Sequence, residues 1–130
     1  MADKVLTLIA LISLPTVMFG GYSLLRLLPT DKLTDFQKTY FRAGHAHAGV
    51  LLVLVLAALA TGARFGLSDG MTWAYGLLLG IGTLAQSGGM FLHMFIGAPG
   101  RWSAGNTVTT AGAVALAAGM ITLVVGVISA

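Results

Sequence analysis

The segment from Trp102 to Ala130, WSAGNTVTTAGAVALAAGMITLVVGVISA, contains no charged residue. An α-helix needs about 20 apolar residues to cross the roughly 30 Å hydrocarbon core of a bilayer, and this segment is long enough. Three more uncharged segments of sufficient length precede it, running from Val5 to Leu25, Ala43 to Ala63 and Gly70 to Gly100. Because lipid offers no hydrogen-bond partner to an open backbone, each segment is predicted to be a helix.

The composition of the chain also indicates a membrane protein. Of its 130 residues, 57% are hydrophobic and 8% are charged, whereas a soluble domain carries about 25% charged residues. So few polar groups cannot cover the surface of a water-soluble globule. The net charge of +3 is small and scattered, which argues against a nucleic-acid partner. The absence of cysteine excludes disulfides, iron–sulfur clusters and thiolate zinc sites.

The connections between the uncharged segments are short, so we predict a single domain over residues 1–130. Thr34 and Gln37 have the spacing of a capping box, which places the start of the second helix near Asp35. The turn around Pro99 separates the third helix from the fourth. The predicted fold is all-α, a polytopic membrane protein with an up-down-up-down bundle of four transmembrane helices. The expected helices are about 5–28, 35–63, 71–97 and 103–129.

Lysine and arginine predict the orientation of the bundle, because loops rich in these residues stay in the cytoplasm. Five of them fall on one side of the membrane, namely Arg26, Lys32, Lys38, Arg42 and Arg101. Lys4 and Arg64 fall on the other side. We therefore expect both termini outside, with the protein in the inner (plasma) membrane of a bacterium. The first segment lacks a strong basic region and a cleavage site, so we expect a retained helix rather than a signal peptide.

Small residues recur at regular spacing on the last two helices. In the fourth helix a glycine occupies every seventh position, at Gly105, Gly112, Gly119 and Gly126. In the third helix a similar face is made by Gly76, Gly80, Thr83 and Ser87. Small residues let membrane helices approach closely. The two faces are therefore expected either to pack inside the bundle or to dock onto a second copy or another subunit.

Three histidines are candidates for a functional site, because ionisable residues inside membrane spans are costly and usually functional. His45 and His47 lie near the cytoplasmic end of the second helix, and His93 near the same end of the third. We expect all three at a similar depth. Gln86, Met90 and His93 share one face of the third helix at spacings of four and three.

The spacing of the histidines limits the ligands that they can bind. His45 and His47 are two residues apart, about 200° around the helix axis, so they cannot easily chelate one ion. One of them with His93 could bind haem b between the second and third helices. We favour His47 with His93, and His45 as the substitute or second ligand. Copper is the alternative, bound by imidazole with the thioether of Met90 or Met94.

The neighbouring arginines and the structural alternatives bear on the same site. Arg26 and Arg42 flank this end of the bundle and could pair with haem propionates, although lipid phosphates are the simpler partners. The histidines could instead hydrogen-bond backbone carbonyls, and the methionines could be ordinary packing residues.

The segment from Arg42 to Val50, RAGHAHAGV, followed by an apolar run, resembles the His-x-His helix of the catalytic subunits of haem–copper oxidases and nitric oxide reductases. In that family the two histidines point to opposite sides and ligate two different haems. The resemblance implies haem ligation by His45, His47 or both, with His93 as a candidate trans ligand. It covers one helix, and the family's copper ligands have no counterpart here. Reduction of oxygen or nitric oxide by this chain alone is therefore not expected.

Two functions remain open at this point. The first is a small membrane protein that binds haem b or a transition metal for electron transfer or the handling of a diatomic gas. The second is a non-catalytic accessory or assembly subunit of a larger membrane complex of the respiratory or oxygenase type. No acidic residue lies inside a predicted span, which excludes a carboxylate proton relay. The expected partners are the lipid bilayer and a second copy or a larger membrane complex.

Overall fold

A computed structural model describes all 130 residues and confirms the all-α fold with four helices. Each helix is long and apolar enough to cross a membrane. The helices are α1 (Ala2–Leu27), α2 (Asp35–Arg64), α3 (Asp69–Ile96) and α4 (Ala104–Ser129). Their bounds agree with the predicted ones to within about three residues. The largest difference is the start of α1, because charges at Asp3 and Lys4 end an apolar segment but not a helix.

Polar side chains fix the starts of three helices. Thr34 and Gln37 form the predicted capping box at α2, with the Gln37 amide donating to the Thr34 hydroxyl over 3.2 Å. Ser68 caps α3 by accepting a hydrogen bond from the Met71 amide. Ser103 caps α4 in a second capping box. These caps satisfy amide groups that the first turn of a helix leaves without a partner.

The four helices do not form a symmetric square. α3 packs against α1, α2 and α4, and its closest partner is α4. α1 packs against α2 and α3 but makes no contact with α4. The bundle therefore consists of a triangle of α1, α2 and α3, with α4 packed mainly against α3 and in slight contact with α2.

The interface between α3 and α4 uses every glycine of the seven-residue repeat. A Cβ at Gly105 would collide with the backbone nitrogen of His93, and one at Gly112 with that of Gln86. On the facing side, a Cβ at Gly82 would lie 3.0 Å from the carbonyl oxygen of Gly112. The α4 stripe thus packs inside the bundle. Gly105 and Gly112 bring two helix backbones into direct contact, whereas Gly119 and Gly126 pack against side chains such as that of Leu79.

The small-residue face predicted on α3 does not meet α4. Gly76 packs against the Leu6 and Leu59 side chains of α1 and α2. Gly80, Thr83 and Ser87 line a cavity between α1, α2 and α3. The α3 glycines that contact α4 are Gly82 and Gly89, which are also seven residues apart.

The end of the bundle opposite the histidines is closed by an ionic contact. The terminal ammonium of Met1 donates to the Asp69 carboxylate over 2.6 Å, and the Ala2 amide donates to the same oxygen over 2.8 Å. The hydrogen bond to Asp69 raises the pKa of the Met1 ammonium above its ordinary value of 8.0. This contact holds the first turn of α1 beside the first turn of α3.

Candidate functional site

His93 lies in a fully packed environment at the end of α3. Its side chain is 2% exposed, and its Nδ1 is 2.6 Å from the hydroxyl oxygen of Ser103. The rings of Tyr40 and Phe36 pack edge-on against it, with centroids at 4.5 and 5.3 Å. Since Ser103 also accepts a hydrogen bond from the Gly105 amide, His93 joins α2 and α3 to the cap of α4.

His47 is half-buried on α2 and has a defined tautomer. Its Nδ1 is 2.9 Å from the carbonyl oxygen of Ala43, one turn earlier in the same helix. A carbonyl oxygen can only accept a hydrogen bond, so Nδ1 carries the proton and donates it. In the neutral ring, Nε2 then keeps its lone pair. This is the arrangement that orients histidines for binding to a metal, in which the second nitrogen donates to a carbonyl or carboxylate.

His45 points to the other flank of α2, as its spacing from His47 predicted, and packs against α1. A Cβ at Gly21 would lie 3.0 Å from its Nε2, and one at Gly20 would lie 3.5 Å from its Nδ1. The two glycines therefore leave a notch in α1 that accepts the imidazole. Neither ring nitrogen of His45 has a hydrogen-bond partner in the protein. The sequence analysis did not predict this contact, although the adjacent glycines Gly20 and Gly21 in the first helix are a signal for it.

The structure does not bring His47 and His93 face to face. The His93 ring packs against Tyr40, which precedes His47 by seven residues, about 10 Å along the helix. Between these levels α2 and α3 are in close contact, since a Cβ at Gly44 would lie 2.9 Å from the Phe91 ring. A haem ring between α2 and α3 therefore does not fit this packing. No three His, Asp or Glu side chains come together in a group that could hold a metal ion.

The remaining candidate ligands and arginines are distributed around the same end. Met94 belongs to the buried core with 4% exposure, whereas Met90 is half-buried. Arg26 is exposed, and its Nε donates to the Tyr22 hydroxyl over 2.9 Å in its own helix. Arg42 is exposed on α2. The two arginines thus lie at the surface, where they can meet lipid headgroups.

A cavity of about 250 Å³ between α1, α2 and α3 is the feature that sequence analysis missed. Its wall is apolar except for three hydroxyl groups. These belong to Ser13 of α1 and to Thr83 and Ser87 of α3. Each hydroxyl donates its proton to the carbonyl oxygen four residues earlier, over 2.7–2.8 Å. Because the protons are used in this way, the oxygens offer only acceptor lone pairs to the cavity.

Comparison with known proteins gives no relative for this arrangement. No protein-family model matches the chain, and no curated protein or solved structure matches it.

Proposed function

We propose that this chain is a small integral membrane protein that binds haem b or a transition metal through the imidazole of His47, outside the packed interface between α2 and α3. The observation that supports this is the hydrogen bond from Nδ1 of His47 to the Ala43 carbonyl. It fixes the ring orientation and directs the Nε2 lone pair away from the helix backbone. The role that follows is electron transfer or the handling of a diatomic gas.

The choice between these two roles would depend on how many strong ligands the protein supplies to the metal. A single histidine would leave the metal able to bind a diatomic gas, whereas two strong ligands would favour electron transfer. His93 cannot supply the second ligand in this packing, because Phe36, Tyr40 and Ser103 surround it. A second imidazole would come from another copy of the chain.

Copper is the alternative to haem. Cu(I) prefers soft donors, and a thioether beside an imidazole is such a set. Of the two candidate methionines, Met90 and Met94, Met90 is the more accessible, since Met94 is in the buried core.

The test is an absorption spectrum of the detergent-purified protein, oxidised and dithionite-reduced, with metal analysis on the same sample. We expect a Soret band that sharpens on reduction and is lost in His47→Ala. His45→Ala is the matched control, because it removes the other imidazole of the same helix and should leave the band in place. A colourless, metal-free protein from cells able to supply both haem and copper would refute the proposal.

The alternative proposal is an accessory or assembly subunit of a larger membrane complex. α1 supports it, because its outer face is broadly exposed and carries large apolar side chains, among them Ile12, Phe19 and Leu25. The α4 glycines are not a suitable test of docking, since they pack against α3. Gly88 is suitable, because a Cβ there would meet nothing within 4 Å. Co-purification of a larger complex that is lost in Phe19→Ala or Gly88→Leu would favour this alternative.

A further inference from the structure

We propose that the cavity between α1, α2 and α3 is a binding site for a membrane-soluble hydroquinone or related phenol, with His45 at one end of the site. This site is separate from the metal site proposed at His47. Four properties of the cavity support this: its volume, its opening towards lipid, the hydroxyl groups of its wall and the position of His45 at one end.

The volume suits one ring and part of a chain. A dry cavity of about 150 Å³ accepts benzene, and pockets for drug-sized molecules begin at about 300 Å³. The cavity here has about 250 Å³, which leaves room for a substituted ring and a short length of tail.

The cavity opens sideways towards lipid. Ile9 of α1 and Ile81 of α3 line it, and their side chains are more than half exposed at the outer surface of the bundle. A ligand dissolved in the bilayer can therefore enter between α1 and α3 without passing through water. Its apolar tail can remain in the lipid.

The polar groups of the wall select a ligand that donates hydrogen bonds. Ser13, Thr83 and Ser87 have already given their protons to backbone carbonyls, so they can only accept. A phenolic hydroxyl supplies the missing donor. An acyl chain could fill the same space, but it would leave these acceptors unused.

His45 lies just beyond the end of this cavity. On α2 it shares a face with the lining residues Ala48 and Leu52, at spacings of three and seven residues. On α1 it packs at Gly20 and Gly21, one turn beyond the lining residue Val17. Its two ring nitrogens have no partner in the protein, so a ligand hydroxyl can bind either the lone pair or the N–H of the ring.

Two positions on α3 give a matched pair of test variants. A side chain at Gly80 would enter the cavity, because a Cβ there meets nothing within 4 Å and the residue lines the wall. Gly88 is equally open but does not line the cavity. We therefore expect the Gly80→Leu side chain to fill the site, since its Cβ causes no collision, and Gly88→Leu is its control.

The experiment measures binding of decylhydroquinone to the detergent-purified full chain, under anaerobic reducing conditions, by native mass spectrometry and by the shift in unfolding temperature. Decylbenzene is the control ligand, since it has the same ring and tail without hydroxyls. We expect decylhydroquinone to bind about five- to tenfold more tightly, the effect of one or two hydrogen bonds. Binding should be lost in Gly80→Leu, retained in Gly88→Leu and weakened about fivefold in His45→Ala.

Two further variants keep the test informative if Gly80→Leu does not fold. Thr83→Val and Ser87→Ala remove acceptors and should weaken hydroquinone binding while leaving decylbenzene binding unchanged. Equal affinity for the two ligands would identify the cavity as an acyl-chain cleft and overturn the proposal. Unchanged binding in Gly80→Leu would also overturn it. His47→Ala should bind decylhydroquinone like the unmodified chain, so failure of one proposal is distinguishable from failure of the other.

Discussion

Replacement of Gly112 by alanine should break a close contact between the backbones of α3 and α4. The new Cβ would lie 2.8 Å from both the Cα of Gln86 and the carbonyl oxygen of Gly82. Ordinary contacts between carbon atoms are about 3.5–4.0 Å, so the shortfall is about 1 Å. The atoms in the way belong to the α3 backbone and cannot rotate aside, so α4 must move as a whole.

The size of the effect follows from this movement. A gap of about 0.5–1 Å removes a quarter to a half of the dispersion energy of each contact that it opens. Insertion of a methyl group into a packed core costs about 1–3 kcal/mol, and we expect Gly112→Ala to lie in that range. Gly88→Ala should instead be neutral or up to about 1 kcal/mol more stable, because its Cβ meets open space and alanine favours a helix.

The assay is unfolding of the protein in mild-detergent micelles by titration with SDS, followed by near-ultraviolet circular dichroism of the aromatic side chains. The Gly112→Ala midpoint should fall clearly below that of Gly88→Ala at the same protein concentration. Equal midpoints would contradict the packing argument. They would mean that the glycine stripe of α4 faces another molecule rather than α3.

Three other contacts give predictions that the same titration can check. Ser103→Ala should destabilise the bundle by about 1 kcal/mol or more, because it removes the α4 cap and the partner of His93. The Met1 ammonium has a raised pKa in the folded chain. Its contribution to the stability of the fold is therefore complete below pH 8 and should decline as the pH rises through that raised pKa. Asp69→Asn should abolish this decline. Tyr75→Phe should be neutral or stabilising, because the buried Tyr75 hydroxyl makes no hydrogen bond. Loss of more than about 1 kcal/mol in Tyr75→Phe would reveal a hidden partner.

The helices were predictable because uncharged segments mark their membrane-spanning parts, although α1 and α2 continue past these parts through charged residues such as Lys4 and Lys38. A bilayer tolerates few ionised groups, so the uncharged segments and the connecting Lys, Arg and Asp residues define four spans. The α4 interface was predictable in part, because the seven-residue glycine repeat places its glycines on one face of α4. Its partner on α3 was not, because the repeat of Gly82 and Gly89 competes with the equally regular set of Gly76, Gly80, Thr83 and Ser87.

The interfaces that the histidines enter could be predicted only in part. The opposite directions of His45 and His47 follow from helix geometry. The interface that each histidine enters depends on the rotation of α2 against its neighbours, which the α2 sequence does not specify. The expectation that His93 faces His47 depended on this rotation and on depth. In the structure His93 lies beside Tyr40, nearer the start of α2, because the aromatic residues of the first α2 turns fold over it.

The absence of contact between α1 and α4 has a consequence for the synthesis of the chain. A chain inserted from its N-terminus places α1 and α2 in the bilayer before α3, the helix against which every other helix packs. Until then the first hairpin has only its own contacts between α1 and α2, among them the packing of His45 against Gly20 and Gly21. Most of the contacts between helices therefore form late, when the second hairpin, α3 and α4, enters the bilayer.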